Sequence, residues 1–156
     1  GSYEVSNMKI IDNLLEEKQV LEIEQELVKD TFPWFYQNCV THKDIDNYYF
    51  THMFYRDGEQ SRYFNLIIPI LKKIKFKKLI RANINKVLDH PRHVDFNYTT
   101  KGALFYLNTN NGPTTVGNKK IESVRNRLLL FNASQEHNST TCTDAKIRLN
   151  ININYL

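Results

Sequence analysis

Cysteine is scarce in this chain of 156 residues. Its two, Cys39 and Cys142, lie far apart with no CxxC or zinc-type spacing. That argues against a thiolate metal site and leaves buried or idle thiols as the reading. No apolar run approaches the ~20 residues of a membrane span, and no signal-peptide pattern opens the sequence, so the expectation is a soluble, cytoplasmic protein. Internal repeats, low-complexity tracts and linker-like stretches are also missing, which predicts one domain over 1–156. What is present suffices for a core, since 41% of the residues are hydrophobic.

Charge of one sign is not in strong excess. The formal net charge is +4, but Lys72, Lys73, Lys75, Lys77, Lys78 and Arg81 crowd one stretch. A nucleic-acid patch is one reading of that run. A solvated face and turn between a helix and a strand is the preferred one, with Ile74, Phe76 and Leu79 as core contacts.

Hydrophobic periodicity divides the chain into a supporting half, 3–78, and a β core, 79–156. Met8 to Leu15 reads as a strand entering a helix over Glu16–Asp30, whose apolar stripe is Val20, Ile23, Leu27 and Val28. Phe32 to Tyr36 and Tyr48 to Tyr55 are aromatic and extended. A second helix is expected over Ser61–Lys73, with Pro69 as a kink. From Leu79 onward about eight short strands follow, punctuated at Asn110-Asn111-Gly112-Pro113, Gly117-Asn118 and Asn132-Ala133-Ser134. The pattern predicts a mainly β, α+β protein: an antiparallel double-stranded β-helix (a jelly roll, cupin-like) buttressed by N-terminal helices.

The last strand carries a further signal. Ile147, Leu149, Ile151 and Ile153 alternate with Arg148, Asn150, Asn152 and Asn154. Asparagine is a poor strand former, and a solvated face would favour Lys and Glu. A row of Asn with one Arg fits a wet cavity inside the double sheet better. Arg81, Asn83 and Asn85 repeat the pattern on another strand.

His93-Val94-Asp95 sets an imidazole and a carboxylate two residues apart, on one face of a strand. His137 would complete a 2-His-1-carboxylate triad, which holds non-haem Fe(II) and leaves coordination positions open. A 2-oxo acid can fill two of them and dioxygen a third. The far carboxylate of such an acid needs a fixed cation, and a guanidinium fork suits it; Arg148 is the candidate.

Several segments in order, Arg92-His93-Val94-Asp95, Leu104 to Asn108, Asn111-Gly112, Asn126 to Phe131, His137 and Arg148 to Ile151, make the chain resemble the Fe(II)/2-oxoglutarate-dependent oxygenases of prolyl-hydroxylase-like kind, small phage-encoded versions included. The resemblance spans Leu79 to Tyr155. It implies that His93, Asp95 and His137 hold iron and that Arg148 binds the distal carboxylate of 2-oxoglutarate beside Tyr106. The tyrosine common in the family ahead of the first iron ligand falls near Asn83 here, so Asn83 or Asn85 is expected in its place. The implied cofactors are Fe(II), 2-oxoglutarate and O2. The implied reaction is oxidative decarboxylation of 2-oxoglutarate to succinate and CO2, coupled to hydroxylation of a substrate carbon. A phage-encoded chain would act in the host cytoplasm.

Three functions compete on these grounds. The preferred one hydroxylates a protein side chain, as the prolyl-hydroxylase-like spacing implies. The second acts on a nucleic-acid base or small metabolite, with the basic run binding phosphate. The third is a non-catalytic, cupin-like metal-binding module. Among the other polar residues, His52 reads as a hydrogen-bonded structural histidine and Arg127 as one half of an ion pair.

Overall fold

The computed structural model describes residues 1–37, 48–88 and 100–156, together with the backbone of 93–95. The chain opens with a hairpin, β1 (Ser2–Val5) and β2 (Met8–Ile11), and enters α1 (Glu17–Leu27). Then come β3 (Phe35–Gln37), β4 (Tyr49–Arg56), β5 (Glu59–Gln60), a 3-10 turn over Phe64–Ile67 and the single-turn α2 (Ile68–Leu71). The remainder is strand: β6 (Leu79–Val87), β7 (His93–Asp95), β8 (Lys101–Tyr106), β9 (Asn110–Val116), β10 (Lys119–Ser123), β11 (Arg127–Asn132), β12 (His137–Ser139) and β13 (Arg148–Tyr155).

These strands form two antiparallel sheets, the jelly-roll architecture expected from the sequence. The large one runs β1-β2-β11-β8-β13-β6-β4-β3, with β5 on β4, and the small one runs β10-β9-β12-β7. The N-terminal half is thus built into the same sheet as the C-terminal half: β2 pairs with β11, and β4 pairs with β6. Among the described residues no helix is long and apolar enough to cross a membrane.

Alternation along β8 and β11 gives this part of the large sheet an apolar contact on each face. On β8, Ala103 and Phe105 pack with Leu128, Ile151 and Ile84 in one cluster, which Val20, Ile23 and Leu27 of α1 cover. Leu104 and Tyr106 point the other way and meet Leu129, Val116 and Ile121 between the two sheets. Phe105 is fully buried, and a cavity at that position would cost about 3–5 kcal/mol. Helix α1 begins with Gln19 Oε1 accepting from the Glu16 amide at 3.1 Å, as the capping pattern requires. Arg125 then ties the helix to the β10–β11 turn through Glu17 and Glu24, at 2.8 and 2.6 Å.

Three local expectations need correction. The second helix shrinks to a 3-10 turn plus one α-helical turn, because Pro69 sits in the first turn of α2, where its missing N–H costs nothing. Asn110 to Pro113 is part of strand β9, paired through Ser123 and Asn110 with β10. The Asn110 side chain bonds the Gly112 amide at 2.9 Å, so the residues chosen for a turn satisfy the strand instead. The strand expected over Ser139 to Cys142 begins earlier, as β12 over His137–Ser139, so His137 is its first residue.

Candidate metal centre and cosubstrate pocket

Strand β12 lies between β9 and β7 in the small sheet, with His137 opposite Asp95 and Ser139 opposite His93. The backbone therefore sets the three expected iron ligands on two paired strands, two of them at one register position. The side chains of His93 and Asp95 fall outside the described residues. Among those that are described, no group of three His, Cys, Asp or Glu could hold a metal.

His137 itself is buried, and its Nδ1 lies 2.8 Å from the Gln135 carbonyl. A carbonyl only accepts, so Nδ1 carries a proton, and in the neutral ring Nε2 keeps the lone pair. That is the tautomer of a ligating imidazole, oriented by a backbone partner. The ring also stands edge-on to Phe131, 5.1 Å between centroids.

Beside His137 a pocket opens between the sheets, with about 650 Å³ of space counted out to its mouth. Its wall includes the polar row of β13, Arg148, Asn150, Asn152 and Asn154, together with Asn85 of β6 and Thr114 of β9. The opposite face of β13 is occupied by Leu149, Ile151 and Ile153 in the helix-side core. The apolar–polar alternation of the last strand thus sorts one dry face from one wet one.

Arg148 is 2% exposed. Its Nε donates to the Gly112 carbonyl at 3.2 Å and its Nη2 to Thr114 Oγ1 at 3.0 Å. Among the described residues no carboxylate lies within ion-pair distance of it. Burial pulls its pKa below the ordinary guanidinium value. A desolvated cation without a counter-charge is costly, and an anionic ligand would relieve that cost.

Thr114 is the shared partner. Its Oγ1 also accepts from the Tyr106 hydroxyl at 2.7 Å, so its own proton is left without an acceptor among the described residues. Burial raises the Tyr106 pKa, which keeps the phenol protonated as a donor. Two further groups are unsatisfied: Asn138 Oδ1 and Asn150 Oδ1 are buried with no hydrogen-bond partner among the described residues. A cation without a counter-charge and a free hydroxyl proton in one pocket are what a carboxylate would satisfy, while the two amide oxygens only accept and call for a donor.

The expected residues therefore take different positions. His137, Arg148 and Asn85 line the pocket. Tyr106 stands one layer back, behind Thr114. Asn83 stands behind Asn85, donating to its Oδ1 at 2.9 Å. Thr114 and Asn138 complete the wall without having been singled out from sequence, together with Asn150 of the polar row expected to face a cavity. Thr114 did carry a signal: it shares the inward face of β9 with Asn110, Gly112 and Val116, where a hydroxyl is out of place in a dry core. The other polar residues are structural. His52 is held between the Pro33 carbonyl and Ser61 Oγ at 3.0 and 2.8 Å, and Arg127 pairs with Asp12 at 2.7 Å. Cys142 is a buried free thiol, whereas Cys39 lies outside the described residues.

No protein-family model and no curated protein matches the sequence. The fold does match solved structures. A 2OG-Fe(II) oxygenase family oxidoreductase from Burkholderia pseudomallei superposes with a TM-score of 0.72 at 8% identity, over 95% of this chain and 84% of that one. HygX from Streptomyces hygroscopicus, solved with nickel and 2-oxoglutarate bound, gives 0.64 at 10% identity over 95% and 82%. A prolyl-4-hydroxylase from Pseudomonas putida gives 0.57 at 12% identity over 95% and 91%. The chain thus has the fold of structures from the 2OG-Fe(II) oxygenase family.

Proposed function

We propose that the protein is an Fe(II)- and 2-oxoglutarate-dependent oxygenase. The observation that carries this reading is Arg148, a buried guanidinium without a carboxylate partner among the described residues, in the same pocket as a histidine whose Nε2 is free to ligate. The donor set fits the cofactors: His93, Asp95 and His137 would hold the iron, and Arg148 with Thr114 would take the distal carboxylate of 2-oxoglutarate. Bound together with O2, they supply the oxidation of a substrate C–H to C–OH, while 2-oxoglutarate leaves as succinate and CO2.

The residues of the chain contribute position and electrostatics. Gln135 fixes the His137 ring through Nδ1. Gly112 and Thr114 hold the Arg148 fork in one orientation, which would fix the far end of the acid. Phe131 shields the histidine edge from water. Tyr106 fills one acceptor site of Thr114 and leaves the threonine proton for the ligand.

The prolyl-hydroxylase-like order of motifs supports a protein side chain as the acceptor. The fold alone does not choose, since one neighbour is a prolyl-4-hydroxylase and HygX is also solved with hygromycin B bound. A nucleic-acid base or small metabolite is the second reading, with the basic run from Lys72 to Arg81 available for phosphate.

Calorimetric titration of 2-oxoglutarate into protein loaded with Mn(II) tests the site. The expected result is one binding site per chain that requires the metal and is lost in Asp95→Ala. Absence of metal-dependent binding in folded protein would contradict the reading.

A further inference from the structure

A second, more open concavity lies elsewhere, at the end of the large sheet. It holds about 1540 Å³ of space counted to its open mouth, against 650 Å³ for the pocket above. Four lysines converge on it from three parts of the chain: Lys9 of β2, Lys75 and Lys77 of the loop after α2, and Lys101 at the start of β8. No Asp or Glu side chain lines it. Among the described residues none of the four lysines is in an ion pair, not even Lys9 with Glu4, its register partner across the first hairpin.

The cleft is held in shape. The Leu156 carbonyl accepts from the Lys77 and Lys78 amides at 2.6 and 3.1 Å, and the Leu156 amide donates to the Lys78 carbonyl at 2.9 Å. These bonds lash the lysine loop to the end of β13. Between Lys75 and Lys77, Phe76 is 39% exposed, its ring 6.3 Å from that of Tyr155. An aromatic ring kept out of the core, flanked by cations and backed by a second ring, is the arrangement on which unpaired bases stack while lysines follow the phosphates. An acidic peptide would use the lysines and leave the ring idle. The site also touches the pocket: Gly102 and Ala133 line the pocket, their neighbours Lys101 and Asn132 line the cleft, and Phe131 lines both.

We propose that this cleft binds single-stranded nucleic acid. The binding needs no metal and stands apart from the oxygenase reading, so each can fail without the other.

Fluorescence anisotropy of a labelled oligodeoxythymidine 20-mer, titrated with the metal-free protein, tests it. Binding is expected to weaken with salt with a log–log slope of roughly −2 to −3, for three or four phosphates neutralised on a single strand. Charge reversal at Lys75, Lys77 and Lys101 should weaken it by tenfold or more. Phe76→Ala should weaken it about 5- to 100-fold, as loss of one stacked base does. Lys119→Glu with Lys120→Glu, on exposed β10 outside the cleft, should leave it within about twofold, because distant surface charges are screened. The proposal is overturned if the 20-mer does not bind at low salt. It is equally overturned if the β10 variant weakens binding as much as the cleft variant, if Phe76→Ala has no effect, or if poly-glutamate competes as well as the oligonucleotide.

Discussion

Arg148 and Tyr106 meet on one oxygen: Nη2 donates to Thr114 Oγ1 at 3.0 Å, and the tyrosine hydroxyl donates to the same atom at 2.7 Å. Thr114→Val removes that oxygen at nearly constant volume and leaves two buried donors short of a partner. Unfolding in urea should show a loss of about 1–3 kcal/mol. 2-Oxoglutarate affinity should fall about 10- to 150-fold, since a lost hydrogen bond to a charged group is worth about 1.5–3 kcal/mol. Thr114→Ser keeps the oxygen and should restore the affinity.

Arg148 has the opposite relation to stability. Its pKa is depressed by burial, so the folded state binds that proton less tightly than the unfolded state does, and the charge destabilises the fold at every working pH. Arg148→Met should leave the ligand-free melting temperature unchanged or higher. It should also abolish the rise that 2-oxoglutarate gives the wild type, a stabilisation of about 2.7 kcal/mol at a hundredfold excess over Kd. Thermal shift with and without the ligand reads both effects.

Gly112 supplies the other acceptor of Arg148. A Cβ there would lie 2.8 Å from the Thr140 carbonyl and 3.0 Å from that of Thr141, both backbone atoms. Gly112→Ala must displace β9 or the chain after β12, with a cost of about 1–3 kcal/mol in urea unfolding. Because the Gly112 carbonyl moves with it, 2-oxoglutarate binding measured by calorimetry should weaken as well.

Acid stability should depend on Asp12. Its hydrogen bonds to Arg127, at 2.7 and 3.2 Å, are the largest cause of a carboxyl pKa held below the usual value. A depressed carboxyl stabilises the fold above its unfolded pKa, about 4, and that contribution is lost as pH falls through the folded value. Urea unfolding of Asp12→Asn at pH 6 and pH 3 should show a smaller drop between the two than the wild type does.

Much of this architecture was legible from local pattern. The period-2 runs of β6 and β13 marked not only strands but the wet side of each, because Asn is a poor strand former and a row of it needs polar surroundings for its amides. Val20, Ile23 and Leu27 marked the buried face of α1, whereas Val28, read into the same stripe, caps the helix end and is exposed. What failed had non-local causes. Asn110 to Pro113 carries the strongest turn signals in the chain, yet the pairing of Asn110 with Ser123 of β10 and the Thr140 amide donating to the Pro113 carbonyl at 3.3 Å hold it in the strand. The role of Thr114 depends on two strands, β8 and β13, bringing Tyr106 and Arg148 to one atom, and no spacing in β9 alone encodes that. The lysine run reads as a solvated face on its own sequence. Only the sheet brings Lys9 and Lys101, from 66 residues before Lys75 and 24 after Lys77, to the same cleft.

The most direct measurement is succinate, quantified by mass spectrometry after incubating the protein with 2-oxoglutarate and Fe(II) in air. Oxygenase chemistry at this pocket requires succinate that depends on both iron and O2, with Asp95→Ala and Arg148→Met inactive and still folded by circular dichroism. Folded wild-type protein that binds iron and yet yields no succinate above the iron-only blank would contradict it.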